Sequence, residues 1–338
     1  MAEFRRGIMR SRSLILLVGC LAFFSLTSTA QDDLGRQLSK VASQNAINYL
    51  SPVLAAWGAD LNSGLYHSAD LHDILGFDVG VKVGAVMVKD EDRVFDLVLP
   101  DQIKYGGVTL NAGVDYDKVI SGAPTALGDP NSKAVTVKST SAFDALRGQT
   151  IFTSPKGFNM KLASLLMPQA AVGLPFGLEV IGRFVPNITL PDDAGKVNFI
   201  GFGIRHSIDQ YIPLLPIDAS IHFMTQKLTI SDMNDHKIVG ASGTAYGIEV
   251  SKSLALLTVY GGYQIEKSAW DVDLYNPDPS LTQFIGTPVT IAGFHVDGRN
   301  SSRFHAGVRL LLAIINVHAD YSFATQPVVA AGVGISLR

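Results

Sequence analysis

The sequence predicts an all-β fold, a transmembrane antiparallel β-barrel of about 10 strands (range about 8–14) with an N-terminal helix and a large outer insertion. Three observations predict it. The first is alternation. From Ile315 to Ser322 every odd position is apolar or aromatic and every even one polar, and from Val328 to Arg338 the residues Val329, Ala331, Val333, Ile335 and Leu337 share one face. Successive side chains of a strand point to opposite faces, so each segment is a ribbon with one greasy and one wet side, as in a wall between lipid and lumen. The second is composition. Of 338 residues, 47% are hydrophobic and 17% charged, yet past residue 30 no run reaches the ~18 apolar residues of a membrane helix. The third is that long and short connections alternate along the chain.

Arg5, Arg6, Arg10 and Arg12 precede the apolar run Leu14–Leu26 and the small-residue site Ser28-Thr29-Ala30. This is the layout of a secretory signal over residues 1–30, cleaved after Ala30, and it directs the chain to the bacterial outer membrane. The single cysteine, Cys20, falls inside the signal, in a Leu17-Val18-Gly19-Cys20 stretch of lipobox form. Cleavage after Ala30 leaves no thiol for a disulfide or a zinc site. Residues 31–60 form a helix or plug, since Leu34, Leu38, Val41, Ile47, Leu50 and Leu54 recur near the helical period. Leu61–Leu75 is a polar connection, and its His67 and His72 are read as incidental loop residues.

The barrel unit spans 73–338. Its first strand alternates Phe77, Val79, Val81, Val83, Ala85 and Met87 with Asp78, Gly80, Lys82 and Gly84. Between 89 and 165 the pattern dissolves for longer than an ordinary loop allows, which makes this a folded insertion, capping the barrel or plugging it, with room for an extra strand pair. Strands then follow at Pro168–Leu174, from Leu178, over Lys196–Ser207, from Ile217, over Ile238–Val250 and Leu254–Glu266 with a turn at Ser251-Lys252-Ser253, and over Arg303–Leu312, Ile315–Phe323 and Val328–Arg338. Reading backwards with the last strand running inward, the connections near 313, 252, 214 and 176 are periplasmic and short. Those at 187–195, 229–236, 268–302 and 89–165 are outer and long, with the hairpin near 325 the one short outer connection, provided Val289–Val296 belongs to the outer loop. Bacterial barrels have this asymmetry, and a soluble sandwich has no reason to show it. Tyr211, Tyr246, Tyr260, Tyr263, Phe304, Tyr321 and Phe323 fall near strand ends, where interfacial aromatic girdles form.

If the greasy face meets lipid, the other face lines the lumen. The candidates are Asp78, Lys82, Glu179, Arg183, Asp218, His222, Gln264, Glu266, Arg303, His305, Arg309, Asn316, His318 and Asp320. Desolvated charges of both signs should pair with one another, as a structural lattice, a polar path or a ligand site. His318 and Asp320 sit two residues apart on a strand, about 7 Å, too far for the base–orienter bond of a triad. No Gly-x-Ser-x-Gly elbow and no His-Glu-x-x-His pair occurs, and Asp271, Asp273 and Asp278 miss the calcium-loop spacing. No catalytic residue, metal or cofactor is expected, nor enzymatic activity. A net charge of −3 lacks the basic footprint that nucleic acid needs.

Asn62-Ser63-Gly64-Leu65-Tyr66, Gly76-Phe77-Asp78, Gly201-Phe202-Gly203-Ile204-Arg205-His206, His318-Ala319-Asp320-Tyr321 and the ending Ala331-Gly332-Val333-Gly334-Ile335-Ser336-Leu337-Arg338 together resemble an uncharacterised family of predicted outer-membrane barrels of Bacteroidetes-like and related bacteria. More distantly, an N-terminal helix leading into a barrel is similar to the long-chain fatty-acid transporter group. The resemblance implies location and fold and carries no site residues. A barrel of this size has a narrow, side-chain-filled interior. The expected role is therefore passive passage or uptake of a small molecule, hydrophobic ones included, with outer-membrane lipid and the barrel-assembly machinery as partners. The alternative is a structural or adhesive surface protein anchored by its barrel.

Overall fold

The computed structural model describes residues 43–105, 107–189, 195–273 and 293–337. The signal, residues 31–42 of the expected helix, residues 289–292 of the outer-loop piece and Arg338 lie outside the described residues.

Ten described strands close into an antiparallel barrel: β1 (Phe77–Met87), β2 (Leu162–Leu174), β3 (Leu178–Thr189), β4 (Lys196–Ser207), β5 (Asp218–Ser231), β6 (Lys237–Leu254), β7 (Leu257–Val272), β8 (Ser302–Leu312), β9 (Ile315–Phe323) and β10 (Val328–Leu337). Each pairs with its chain neighbours, and β1 pairs with β10 in the register Phe77↔Leu337 to Val86↔Val328, which closes the ring. Closure removes the two terminal edges that an open sheet would leave in hydrocarbon. Alternation decides the faces. Val79, Ile200, Phe223, Ile248, Val317 and Val333 point out and are exposed. Apolar exposure of that extent around a whole wall is a lipid-facing belt.

The connections sort between two rims. One rim carries the tight turns at Phe176-Gly177, Ala255-Leu256 and Ala313-Ile314 and the 208–217 connection. The other carries the insertion and the connections after β3, β5, β7 and β9. The β6–β7 turn lies at Ala255-Leu256, where Ala255 takes a left-handed φ of 55°, and not at the more polar Ser251-Lys252-Ser253. The strands are longer than expected, and polarity alone misplaces a turn whose flanks alternate right up to it. Phe294–Asp297 extends the long-loop rim by pairing with Ala269–Val272 of β7 and does not span. Tyr260 corrects the girdle reading. It points inward and is 3% exposed, whereas Tyr246, Tyr263 and Phe304 face out.

The insertion forms three two-stranded sheets, Val94–Val98 with Val119–Pro124, Gln102–Tyr105 with Val108–Asn111, and Ala134–Thr136 with Thr150–Thr153. Leu97, Leu99, Leu110 and Tyr116 give it a core of its own, so it is a cap on the long-loop rim.

Helix α1 (Ser43–Leu61) starts under this cap and runs down the lumen. At its start Asn45 exchanges two hydrogen bonds with Val98 (2.7 and 3.0 Å) and the Tyr49 hydroxyl donates to Lys156 O at 2.6 Å. Residues 62–76 continue to the short-turn rim, where Leu75 N–H donates to Gly173 O at 3.1 Å. The chain thus threads its own barrel from rim to rim before β1 begins. The polar connection of 61–75 is a lumen filling, and His67 and His72 are buried parts of it.

Candidate functional site

The lumen has two unlike halves. Beneath the cap it is apolar. Tyr49, Val53, Leu54 and Trp57 of α1 pack on Phe199, Ile230 and Trp270 of the wall, and the two indole rings lie 6.1 Å apart. A helix buried on nearly every side needs no polar face, which is why its sequence stripe is weak. Toward the short-turn rim the wall turns largely polar: charged and amide side chains surround 62–76, with a small apolar cluster of Leu65 and Tyr66 on Ile181, Met224 and Tyr260.

A buried backbone in extended conformation must find partners for its carbonyls, and the wall supplies them. Arg183 of β3 donates to Leu61 O (2.9 Å), Ser63 O (2.7 Å) and Gly64 O (3.1 Å), and also to Gln169 Oε1 and Gln226 Oε1. It holds no carboxylate. Its charge sits at the carbonyl end of α1, where the helix dipole favours a cation. Arg303 does the same slightly earlier, donating to Ala59 O at 2.7 Å while forking onto both oxygens of Glu266 at 2.7 Å. Gln226, Gln264 and Gln169 donate to Leu61 O, Asn62 O and Leu65 O.

Close approach is secured by glycine. A Cβ on Gly84 would sit 2.5 Å from Ser63 Oγ and 2.7 Å from Asp60 Oδ1, and one on Gly243 2.8 Å from Asn62 Oδ1.

Lower down the charges pair. Arg205 bridges Glu179 (2.7 Å) and Glu249, donates to Ser68 O, and lies over the Tyr66 ring at 5.4 Å. His72 Nδ1 is 2.6 Å from Glu179, and His222 Nδ1 is 2.9 Å from Glu249. His67 Nε2 is 3.3 Å from Asp78, and its ring lies against that of His318, tilted by 41° with centroids 4.5 Å apart. Asp78 also accepts from Asn316 at 2.5 Å. Tyr66 bonds His305, and Tyr260 donates to Asp320 at 3.0 Å. Arg309 reaches Ser336 at 3.5 Å, Asp218 accepts from Ser251 at 3.0 Å, and Lys82 is buried among these groups.

The structure therefore places every expected lumen residue inward, with Asp218 half-buried at the rim. It does not bond them chiefly to one another, because the threading segment takes much of their hydrogen bonding. His318 and Asp320 bond Asn316 and Tyr260 separately. Arg205, Glu249, Gln169 and Gln226 were missed, yet alternation could have found the first two. Glu249 lies inward between exposed Ile248 and Val250, and Arg205 follows exposed Ile204.

The ring has one weak seam among the described residues. Strands β2 and β3 pair only from Leu174↔Leu178 to Gln169↔Arg183. Beyond that β2 stays with β1 as far as Leu162 and β3 stays with β4 as far as Thr189. Pro168 and Pro186 flank the gap, and proline can donate no ladder hydrogen bond. The register of β3 on β4 slips opposite Pro186, and Asn198 Nδ2 donates to Val185 O at 3.4 Å in place of a ladder bond. A cavity of about 130 Å³ lies in this gap. Its lining mixes inward residues (Leu61, Met167, Phe199) with outward ones (Leu166, Pro168, Phe184), all apolar. The polar half keeps a space of about 10 Å³ beside Tyr66, Arg303 and Asp320.

A family model matches residues 9–337. The chain belongs to that family, a family of unknown function (DUF6588). No curated protein is detectably similar in sequence. Among solved structures, this DUF6588 chain is similar to OmpT, an outer membrane protein of Vibrio cholerae (13% identity, 50% of this chain and 55% of that one, TM-score 0.26). Others are the β domain of the Bordetella autotransporter BrkA (12%, 78% and 100%, TM-score 0.32) and Ail, the attachment invasion locus protein of Yersinia pestis (10%, 78% and 99%, TM-score 0.23). The chain spans about half the length of the OmpT chain. With a closed ring and a lipid-facing belt, the DUF6588 chain is an outer-membrane-type β-barrel.

Proposed function

We propose that this barrel takes up a small hydrophobic molecule passively, and that its own N-terminal segment closes the aqueous route. The single observation that carries the reading is the apolar cavity in the β2–β3 gap, floored by Leu61 of α1. A dry apolar cavity binds small apolar molecules without any polar contact. The space beside Tyr66, Arg303 and Asp320 in the polar half, about 10 Å³, is room for about one water, which speaks against a water-filled channel at that point.

The test titrates the full chain, refolded in detergent micelles, with propylbenzene. Saturable binding and a rise in thermal stability, following RT ln(1 + [L]/Kd), are expected. A folded barrel that neither binds nor gains stability at the solubility limit of the probe overturns the reading and leaves the barrel as an anchor for its cap.

A further inference from the structure

We propose that the seam between β2 and β3 is a lateral portal. Through it a hydrocarbon group the size of one aromatic ring or a short alkyl chain passes between the cavity and the core of the bilayer. The inference rests on the uptake reading and adds a route and a ligand class to it. The route follows from the wall. Above Gln169↔Arg183 both strands keep their outer partners and lose each other over about 20 Å of strand. The gap faces the lipid belt, since Phe184 is 57% exposed and Leu162 53%. An unpaired backbone in hydrocarbon costs several kcal/mol per orphan group. The two prolines bring no N–H to the gap and so lower that cost, which makes the opening a feature of the sequence and not a frayed strand.

The ligand class follows from size and lining. About 130 Å³ is close to the ~150 Å³ of an engineered apolar cavity that admits benzene or xenon. Among the described residues the lining has no charged side chain, so a carboxylate or phosphate headgroup finds no counter-charge on it. Leu61, the last residue of α1, forms part of the floor. It is held by Arg183 and Gln226, so the clamp that fixes the plug also fixes the inner wall of the portal.

The test uses the full chain refolded into vesicles of dioleoylphosphatidylcholine or of the same lipid brominated at mid-chain. Phe199→Trp puts a fluorophore on the cavity floor, and Leu228→Trp is the second variant should the first misfold. The parent's two tryptophans, Trp57 on α1 and Trp270 on β7, lie away from the seam, Trp270 on a stretch of β7 paired with Ala241 of β6 and with Val296, so the parent emission measures quenching where the wall is paired. Brominated chains are expected to remove most of the added emission and leave the parent emission nearly unchanged, and propylbenzene is expected to restore it. Propylbenzene binding in micelles without any quenching of the added tryptophan by brominated lipid overturns the portal alone. Failure to bind propylbenzene at all overturns the uptake reading instead. Quenching that propylbenzene does not relieve makes the occupant a lipid chain and overturns the small-molecule assignment.

Discussion

The two halves of the lumen solve the same problem by different physics. Beneath the cap, α1 satisfies its own backbone and meets the wall through apolar contacts such as Trp57 on Trp270. Such contacts stabilise in proportion to area and specify geometry weakly. Below it, 62–76 has no backbone ladder of its own and is held by directed bonds from Arg183, Arg205 and three glutamines. Directed bonds fix position and are costly to leave half-made. The consequence is a division of labour. The polar half locks the plug, and the apolar half can accommodate a guest. The seam obeys the same boundary, ending at Gln169↔Arg183, the pair that opens the polar half.

Arg183→Met should break the comparison most severely. It removes five bonds donated to oxygen and leaves the carbonyls of Leu61, Ser63 and Gly64 short of partners in a buried site. Each buried acceptor left without its donor costs about 1–3 kcal/mol. Urea unfolding in micelles should show that loss, and planar-bilayer recordings should show conductance steps absent from the parent. A variant that is destabilised yet stays silent would mean that Arg183 braces the wall without locking the plug.

Leu54→Ala tests the other half. Leu54 is 3% exposed in the apolar core, and removing its branches should cost about 2–4 kcal/mol. No directed bond is lost, so stability should fall while conductance stays at the parent level and propylbenzene binding rises or holds. Conductance equal to that of Arg183→Met would erase the distinction between lock and packing.

Gly84→Ala should have a smaller effect, about 1–3 kcal/mol, the range for forcing atoms into a packed core. Its Cβ lands on Ser63 Oγ and Asp60 Oδ1, so the strain falls on the junction between α1 and the segment below it. Burial of the segment can be followed by protease cleavage near 62–66, which should quicken in the variant and not in a Gly182→Ala control, where nothing lies within 4 Å of the new atom.

Much of the wall was legible because a strand has a period of two and a barrel has two solvents. Asp78 and Lys82, or Asn316, His318 and Asp320, could be assigned inward from alternation alone, and closure followed from the sorting of loop lengths. The contents of the lumen were less legible. Leu61–Leu75 is polar because its partners are polar, and a buried polar segment reads like a solvated loop until the donors facing it are known. His67 and His72 were misjudged for that reason. The seam was hidden by its own chemistry, since Pro168 looks like the start of a strand when it is an interior residue of one whose ladder on one side has lapsed. Tyr260 shows the limit of composition near strand ends, where a phenol can as well face an inward carboxylate such as Asp320 as a headgroup.

The smallest expected effect concerns the cap, which roofs the apolar half and not the polar one. Asp115 accepts from Ser141 Oγ at 2.6 Å and from Asn111 N–H at 2.8 Å, and these bonds hold its carboxyl below the usual carboxylate range, the serine most of all. A pKa depressed in the folded state gives stability that is present above the unfolded value of about 3.9. That stability is lost as pH falls through the folded value. Acid should therefore loosen the cap, and the chain's two tryptophans, Trp57 and Trp270, both in the half it covers, report the change as a shift of emission to longer wavelength. Asp115→Asn lacks the contribution at neutral pH and should show a flatter acid response. If wild type and variant shift in parallel, the acid response comes from lumen carboxylates, and the cap does not shelter the apolar half.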